Sequence, residues 1–370
     1  MKRYKIEWKN IIIVLIILVS FTPLVNNVVK AFSLVFIFLL SVFKVKKIQN
    51  GNMMLLSTAL LLLISPAIID IIRIGNPSNI SVLNFYFPFS FLFGFIIYQR
   101  YTLQEYLKIS EKIIFVVALF SLIGVIIYTF MPQIVFQMPQ YVNKHTSHRT
   151  AYIFNILTIG NYIVARNAGI AWEPGAFQFL LNLGLFSYLK YTEPKIIKIL
   201  IYSIAIIATR STVGLSIFAL IIIWKLIINQ ENTKIKLVAI FGVLLSLGSI
   251  LDIARYHLDY KLNPDVTGFD VRISPMLNAI DYGKNYIFGI GNSNYDQMYS
   301  QLNIGSYDSY TQVFLRYGYF LLLFIISRLI KIVRNDLILG AIIIGTFFGQ
   351  SIWFFPFITP FYFLRDERRV

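Results

Sequence analysis

Ile113-Ile-Phe-Val-Val-Ala-Leu-Phe-Ser-Leu-Ile-Gly-Val-Ile-Ile-Tyr-Thr-Phe-Met131 runs without a charged side chain. A helix of about 20 such residues spans the hydrocarbon core of a bilayer, where only internally paired backbone is tolerated. Comparable runs recur along the whole chain, which is 57% hydrophobic and 14% charged over its 370 residues. A soluble globular fold is excluded. The expected fold is all-α: a polytopic integral membrane bundle of about twelve transmembrane helices, one membrane domain over residues 1–370.

The runs place spans near 10–25, 27–43, 53–73, 80–98, 113–131, 175–189, 197–209, 212–228, 237–251, 309–327, 336–350 and 352–364. The last contains Pro356 and Pro360 and reads as re-entrant or broken. Lys2-Arg3-Tyr4-Lys5 ahead of Ile11–Val19 imitates a signal peptide. No small-residue cleavage site follows Phe21-Thr-Pro-Leu24, so this stretch is expected to stay as the first span. Neither an internal repeat nor a low-complexity segment is visible. With no cysteine, disulfides, thiolate ligands and a cysteine nucleophile are excluded.

A formal net charge of +16 could suggest nucleic acid, but the distribution of the charge argues for topology. Two thirds of the 33 Lys and Arg fall in clusters at 2–9, 44–47, 100–112, 190–198, 225–236, 328–334 and 365–369. These lie at the termini or between alternate apolar runs, as the positive-inside rule demands of cytoplasmic connections. Both termini are then cytoplasmic, and no nucleic-acid partner is expected.

Two connections on the other side are long, 132–174 and 252–308. They are too aromatic for solvated linkers and are expected to pack as short interfacial helices over the outer mouth of the bundle. The remaining cations, Lys30, Arg73, Lys144, Arg149, Arg166, Arg210, Arg255, Lys261, Arg272, Lys284 and Arg316, all fall in this outer half. Such an excess points to an anionic ligand approached from the outer leaflet.

Arg210 lies in Ala208-Thr-Arg-Ser-Thr-Val-Gly214, the whole turn between two spans. It either snorkels to lipid headgroups or, with the Thr209 and Ser211 hydroxyls and the following helix start, forms a phosphate site. Arg272, in Asp270-Val-Arg272, precedes Phe288-Gly-Ile-Gly291; it either pairs with Asp270 or Asp281 or faces ligand, and Gly289 and Gly291 permit a tight turn close to that ligand. Arg316 lies within a span, with Asp308 two helical turns before it on a similar face, so a structural pair is expected. Arg73 and Asp70 read as another such pair.

In Arg166-Asn-Ala-Gly-Ile-Ala-Trp-Glu-Pro-Gly175, Pro174 suits the first position of a helix. Glu173 then precedes it at the positive end of the helix dipole, which favours an anion and weakens a base. The His145–His148 pair with Lys144 and Arg149 reads as a solvated cationic patch rather than a metal site.

These residues resemble the bacterial O-antigen polymerase (Wzy) and O-antigen ligase superfamily. The resemblance rests on Arg166-Asn-Ala-Gly169 with Trp172-Glu-Pro-Gly175, on Thr209-Arg-Ser-Thr212, and on Arg272 with Phe288-Gly-Ile-Gly291, and covers residues 150 to 330. Tyr307 occupies the position where many members, ligases among them, carry a histidine, which favours the polymerase type and leaves the general base unassigned.

The resemblance implies a metal-independent inverting glycosyltransferase in the bacterial cytoplasmic (inner) membrane, without cofactor. Its donor and acceptor would be undecaprenyl-pyrophosphate-linked glycans, with membrane lipid and a chain-length regulator protein as further partners. It assigns catalytic work to Arg210, Arg272, Glu173 and Arg166. Substrate contacts would fall to Thr209, Ser211, Asp308, Tyr307, Arg316, Gly289 and Gly291. A ligase acting on lipid A core or protein, and a flippase, are the alternatives; a flippase fits less well because the charges gather at one edge and no repeat is present.

Overall fold

The computed structural model describes residues 8–22, 32, 33, 35, 50–74, 81–143, 146–151, 154–159, 162–225, 267–302 and 308–364. It is mostly helical, with twelve α-helices among the described residues. Three of them, over Met53–Ile72, Leu103–Phe130 and Ser309–Asn335, are long and apolar enough to cross a membrane, so the chain reads as a membrane protein. The expected spans 27–43 and 237–251 fall largely or wholly outside the described residues.

The first four helices are α1 (Trp8–Phe21), α2 (Asn50–Ile74), α3 (Leu83–Arg100) and α4 (Leu103–Phe130). The last begins ten residues before the apolar run 113–131, because Thr102 and Glu105 form a reciprocal capping box that satisfies the first backbone donors of a charged opening segment. That early turn brings Glu111 into the bundle, where it pairs with Lys198 at 2.6 Å and accepts from the Tyr202 hydroxyl at 3.1 Å.

The first long connection departs from expectation. One short helix, α5 (Pro132–Gln137), leads into four strands: β1 (Gln140–Asn143), β2 (Thr146–Thr150), β3 (Asn155–Ile159) and β4 (Tyr162–Gly169). They form an antiparallel meander in the order β1-β2-β3-β4, so the fold is not all-α. Thr-Ser-His-Arg-Thr, Asn-Ile-Leu-Thr-Ile and Tyr-Ile-Val-Ala carry β-branched residues that suit strands and disfavour helix. Buried Phe154 and Ile156 close a small core with Val135 of α5.

Helix α6 (Pro174–Tyr191) is buried from Pro174 to Leu189, the most enclosed α-helix among the described residues. A helix apolar on all sides belongs at the centre of a bundle, and α6 packs against α4, α7 (Ile196–Ala208), α8 (Thr212–Ile223) and α12 (Leu337–Gly349). α6 and α8 run parallel: Asn182, midway along α6, reaches the Gly214 carbonyl near the start of α8 at 3.1 Å, and Lys225, just past α8, reaches the Leu189 carbonyl near the end of α6 at 2.9 Å.

In the second connection, α9 (Thr267–Gly283) and α10 (Asn292–Leu302) precede α11 (Ser309–Asn335). α11 is broken at Gly318, whose φ of 76° and ψ of −165° are not helical. The run at 352–364, expected to be re-entrant or broken, is not a continuous helix. Apart from a single 3-10 turn over Thr359–Phe363, it is irregular backbone buried among the helices. Protein groups replace the missing helical partners, as irregular backbone at such depth requires. Ser90 donates to the Phe354 carbonyl, Tyr106 to that of Phe357 at 2.9 Å, and Arg328 to those of Tyr362 at 2.5 Å and Leu364 at 2.8 Å. Arg328, counted by sequence among the cytoplasmic cations, is thus a buried clamp.

Candidate functional site

Arg166-to-Gly175 joins the sheet to the central helix. Asn167 organises the exit from β4: its amide donates to Ser121 at 3.0 Å and its carbonyl oxygen accepts from the Gly169 N–H at 3.0 Å. Gly169 turns the chain with a φ of 51°, and a Cβ there would strike the Phe177 ring. Glu173 is the N-cap of α6 in extended conformation and Pro174 takes the first helical position, as the sequence pattern requires. The half-buried Glu173 side chain makes no capping hydrogen bond.

Arg166 projects from β4 to the turn between α7 and α8. Its Nε donates to the Thr209 carbonyl at 3.0 Å and its Nη2 to the Arg210 carbonyl at 3.1 Å. These are carbonyls that a helix end leaves without intrahelical donors, so the guanidinium finishes α7. The hydroxyls complete the turn: Thr209 donates to the Ile206 carbonyl at 2.7 Å and accepts from the Ser211 N–H at 3.3 Å, while Ser211 accepts from the Gly214 N–H at 3.3 Å.

Arg210 sits at the apex with a φ of 49°, the one positive φ outside glycine among the described residues. For a side chain bearing a Cβ this costs roughly 1–2 kcal/mol. The Arg210 side chain is exposed, so no packing of its own offsets that cost. Such strain persists only where the surrounding structure over-determines the backbone, and here the contacts of Arg166, Thr209 and Ser211 do so.

The same end of the bundle gathers three helix starts. α6 and α8 begin there side by side. Ser309, at the start of α11, donates to the Gln350 carbonyl at 2.6 Å just beyond α12, and the Gln350 amide lies over Gly175 of α6. Asp308 caps α11 by accepting from the Thr311 N–H at 2.7 Å. The cap holds the carboxylate at the helix start, and no ion pair between Asp308 and Arg316 stands among the described contacts.

Arg316 belongs to a second cluster. Its Nη1 donates to Asn292 at 2.8 Å, and its guanidinium carbon lies 3.8 Å from the Tyr295 ring centroid. Asn292 donates to Asn84 at 2.7 Å, and Asn84 to Asp70 at 3.0 Å. Asp70 therefore faces inward, whereas the side chain of Arg73, its expected partner, lies outside the described residues.

Gly289 and Gly291 adopt φ of 76° and 87°, but the close approach they permit is to protein. A Cβ on Gly289 would meet the Arg316 carbonyl, and one on Gly291 the Asp70 carboxylate. Sequence singled out Arg316, Gly289 and Gly291 and missed Asn84, Asn292 and Ser293. Polar residues at the margins of apolar runs were the available signal.

An aromatic wall separates the clusters. Trp172 lies 5.0 Å from Phe355, Phe355 5.0 Å from Phe354, and Phe354 4.3 Å from Phe87, over which the Arg316 guanidinium sits at 5.9 Å. Arg272 is on α9, with a side chain outside the described residues, and Tyr307, His145 and His257 lie outside them altogether. Asp281, a candidate partner of Arg272, pairs with Lys284 at 2.5 Å. On the same helix, the hydrogen bond between the Tyr282 and Tyr286 hydroxyls, with some burial, raises the Tyr282 pKa.

Comparison with protein-family models, with curated proteins and with solved structures gives no match to this chain.

Proposed function

We propose that the chain is an inverting glycosyltransferase that joins lipid-linked oligosaccharide repeat units at the outer face of a bacterial cytoplasmic membrane. In this reading the chain makes twelve passes or re-entries, and the end that gathers the three helix starts faces outward. The observation that carries the proposal is Arg210: a strained, exposed arginine, fixed by Arg166, at an end where the partial positive charges of α6, α8 and α11 converge. Guanidinium and helix starts together favour a diphosphate.

In the reaction, an acceptor sugar hydroxyl attacks the anomeric carbon of the donor opposite its diphosphate. The new C–O bond forms as the old one breaks, the electron pair leaves with the polyprenyl diphosphate, and the hydroxyl proton passes to a base or to the leaving group. Charge grows on the diphosphate, and preorganised cations there lower the barrier. Arg210 is assigned that role with Arg272. Arg166 acts by holding the turn, and Glu173 lies at the adjoining start of α6 to orient the acceptor.

The deciding experiment is elongation of a lipid-linked oligosaccharide by purified protein in detergent. Longer products from the normal chain, and elongation slowed about 10²-fold or more in Arg210→Ala, support the reading. Unchanged ladders from Arg210→Ala or Arg272→Ala at normal protein level overturn the diphosphate assignment, and no elongation by the normal chain overturns the polymerase.

A further inference from the structure

The second polar cluster does more than fill the bundle. Asp70, on α2, is 1% exposed, and its Oδ2 accepts from Asn84 on α3 at 3.0 Å and from the Ser293 N–H at 2.9 Å. Ser293 is the second residue of α10, so the carboxylate also caps that helix from outside and meets its dipole. Asp70 Oδ1, fully buried, has no hydrogen-bond partner among the described residues.

From Asp70 the chain of bonds runs through Asn84 and Asn292 to Arg316. A carboxylate can only accept and a guanidinium can only donate, so both amides between them have a single allowed orientation. Four pieces of chain, α2, α3, α10 and α11, are thereby held in one register.

The backbone around this relay is shared between the second connection and the broken helix. The Ile290 N–H takes the Leu315 carbonyl at 2.9 Å, the Gly291 N–H takes that of Arg316 at 3.1 Å, and the Tyr319 N–H is taken by the Ile287 carbonyl at 3.0 Å. The kink at Gly318 frees these groups, and segment 286–291 satisfies them. Ser293 adds a link to the residues just ahead of α3, its hydroxyl accepting from the Ser81 N–H at 2.9 Å. Upstream, Gly283 ends α9 against Phe314 and Leu315. The stretch 283–295 is therefore welded to the bundle, and α9 extends from the weld with Arg272 about 16 Å back along its axis at 1.5 Å per residue.

We propose that Asp70 is a positioning residue: through Asn84, Asn292 and Arg316 it docks the second connection on the bundle and so sets where α9 presents Arg272. For stability alone this is a poor arrangement, since a buried carboxylate with one oxygen unpartnered among the described residues is costly and the Arg316 guanidinium stands two amides away. What the charge adds is orientation. The docking stands independently, while the consequence for Arg272 rests on the polymerase reading.

The test is amide hydrogen exchange on the purified full chain, with elongation kinetics alongside. Asp70→Asn is expected to speed exchange at least tenfold across 267–302 while leaving 174–191 unchanged, and to lower kcat at least tenfold with KM within twofold. Lys284→Ala, which breaks only the pair with Asp281, is expected to change neither. Unchanged exchange across 267–302 overturns the docking. Faster exchange there with normal kcat overturns the positioning of Arg272. The exchange pattern with no elongation by the normal chain leaves the docking standing and removes the polymerase.

If Asp70→Asn also loosens 174–191, the decision passes to Ser293→Ala, which deletes only the acceptor of the Ser81 N–H. Local loosening by that variant supports the docking; none overturns it.

Discussion

The Arg166 guanidinium closes the end of α7 by donating to the Thr209 carbonyl oxygen at 3.0 Å, across 43 residues of sequence. A strand of the sheet thereby fixes the conformation of a turn between two apolar helices. Arg166 and Arg210 are consequently one device, in which the first holds the backbone from which the second projects.

That coupling is measurable. Arg166→Ala is expected to destabilise the protein by about 1 kcal/mol, the typical net value for hydrogen bonds of a half-exposed group, and to cut elongation. In an Arg210→Ala background the same change should cost no further activity. Full additivity in this double-mutant cycle would show that Arg166 contacts substrate independently.

Arg210→Gly separates strain from function. The left-handed conformation costs arginine roughly 1–2 kcal/mol, of which backbone entropy returns roughly 0.5–1 kcal/mol when glycine replaces it. The unfolding midpoint in detergent should stay level or rise, while elongation falls about 10²-fold or more, the range seen for loss of one donor to a developing anion. A lowered midpoint would mean that the side chain is structural.

Glu173→Gln preserves shape and N-cap conformation and removes the charge. The structure places this carboxyl at the N-cap of α6 without a capping hydrogen bond, and the reading gives it the acceptor to orient, so elongation should persist within about tenfold of normal, far from the loss expected of a missing general base. A drop of about 10³-fold would make Glu173 the proton acceptor.

Gly318→Ala tests the weld. A Cβ there would strike the Ile287 carbonyl in addition to occupying a positive φ. The expected loss is about 2 kcal/mol or more, read as a lower unfolding midpoint. An unchanged midpoint would show that segment 286–291 is not seated on the broken helix.

Arg328→Met removes the clamp on the irregular segment but keeps an apolar stem. Two buried carbonyls lose their donors, at about 1–3 kcal/mol each. A cysteine introduced at Phe357, fully buried in the native chain, should become reactive to a water-soluble maleimide in that background and remain protected otherwise.

The helices were legible because uninterrupted apolar runs leave the backbone little alternative. The start of α4 was not, since the capping box of Thr102 and Glu105 extends the helix through charged residues that hydropathy assigns to a loop. The sheet escapes because aromatic content reads as interfacial helix, although β-branched Thr, Ile and Val stand in all three of its longer strands. Pro174 and Glu173 were placed correctly from local rules, being determined by the first turn of one helix. By contrast, the partners of Arg166, Arg316 and Arg328 lie 43, 24 and 34 residues away, and spacing along one helix cannot reveal them. Spacing likewise does not reveal that Asp308 caps α11 or that Arg316 reaches Asn292 across the bundle.

The irregular stretch after α12 bears on how the molecule assembles. Its carbonyls are satisfied by Ser90, Tyr106 and Arg328, side chains contributed by helices translated before it. Outside that setting the bare peptide groups would pay several kcal/mol each to enter hydrocarbon. A translocase could not hand this piece to lipid as an autonomous unit. The vacancy among α3, α4 and α11 has to be assembled first, which makes 352–364 a late-arriving keystone whose seating reports that the earlier helices have found one another.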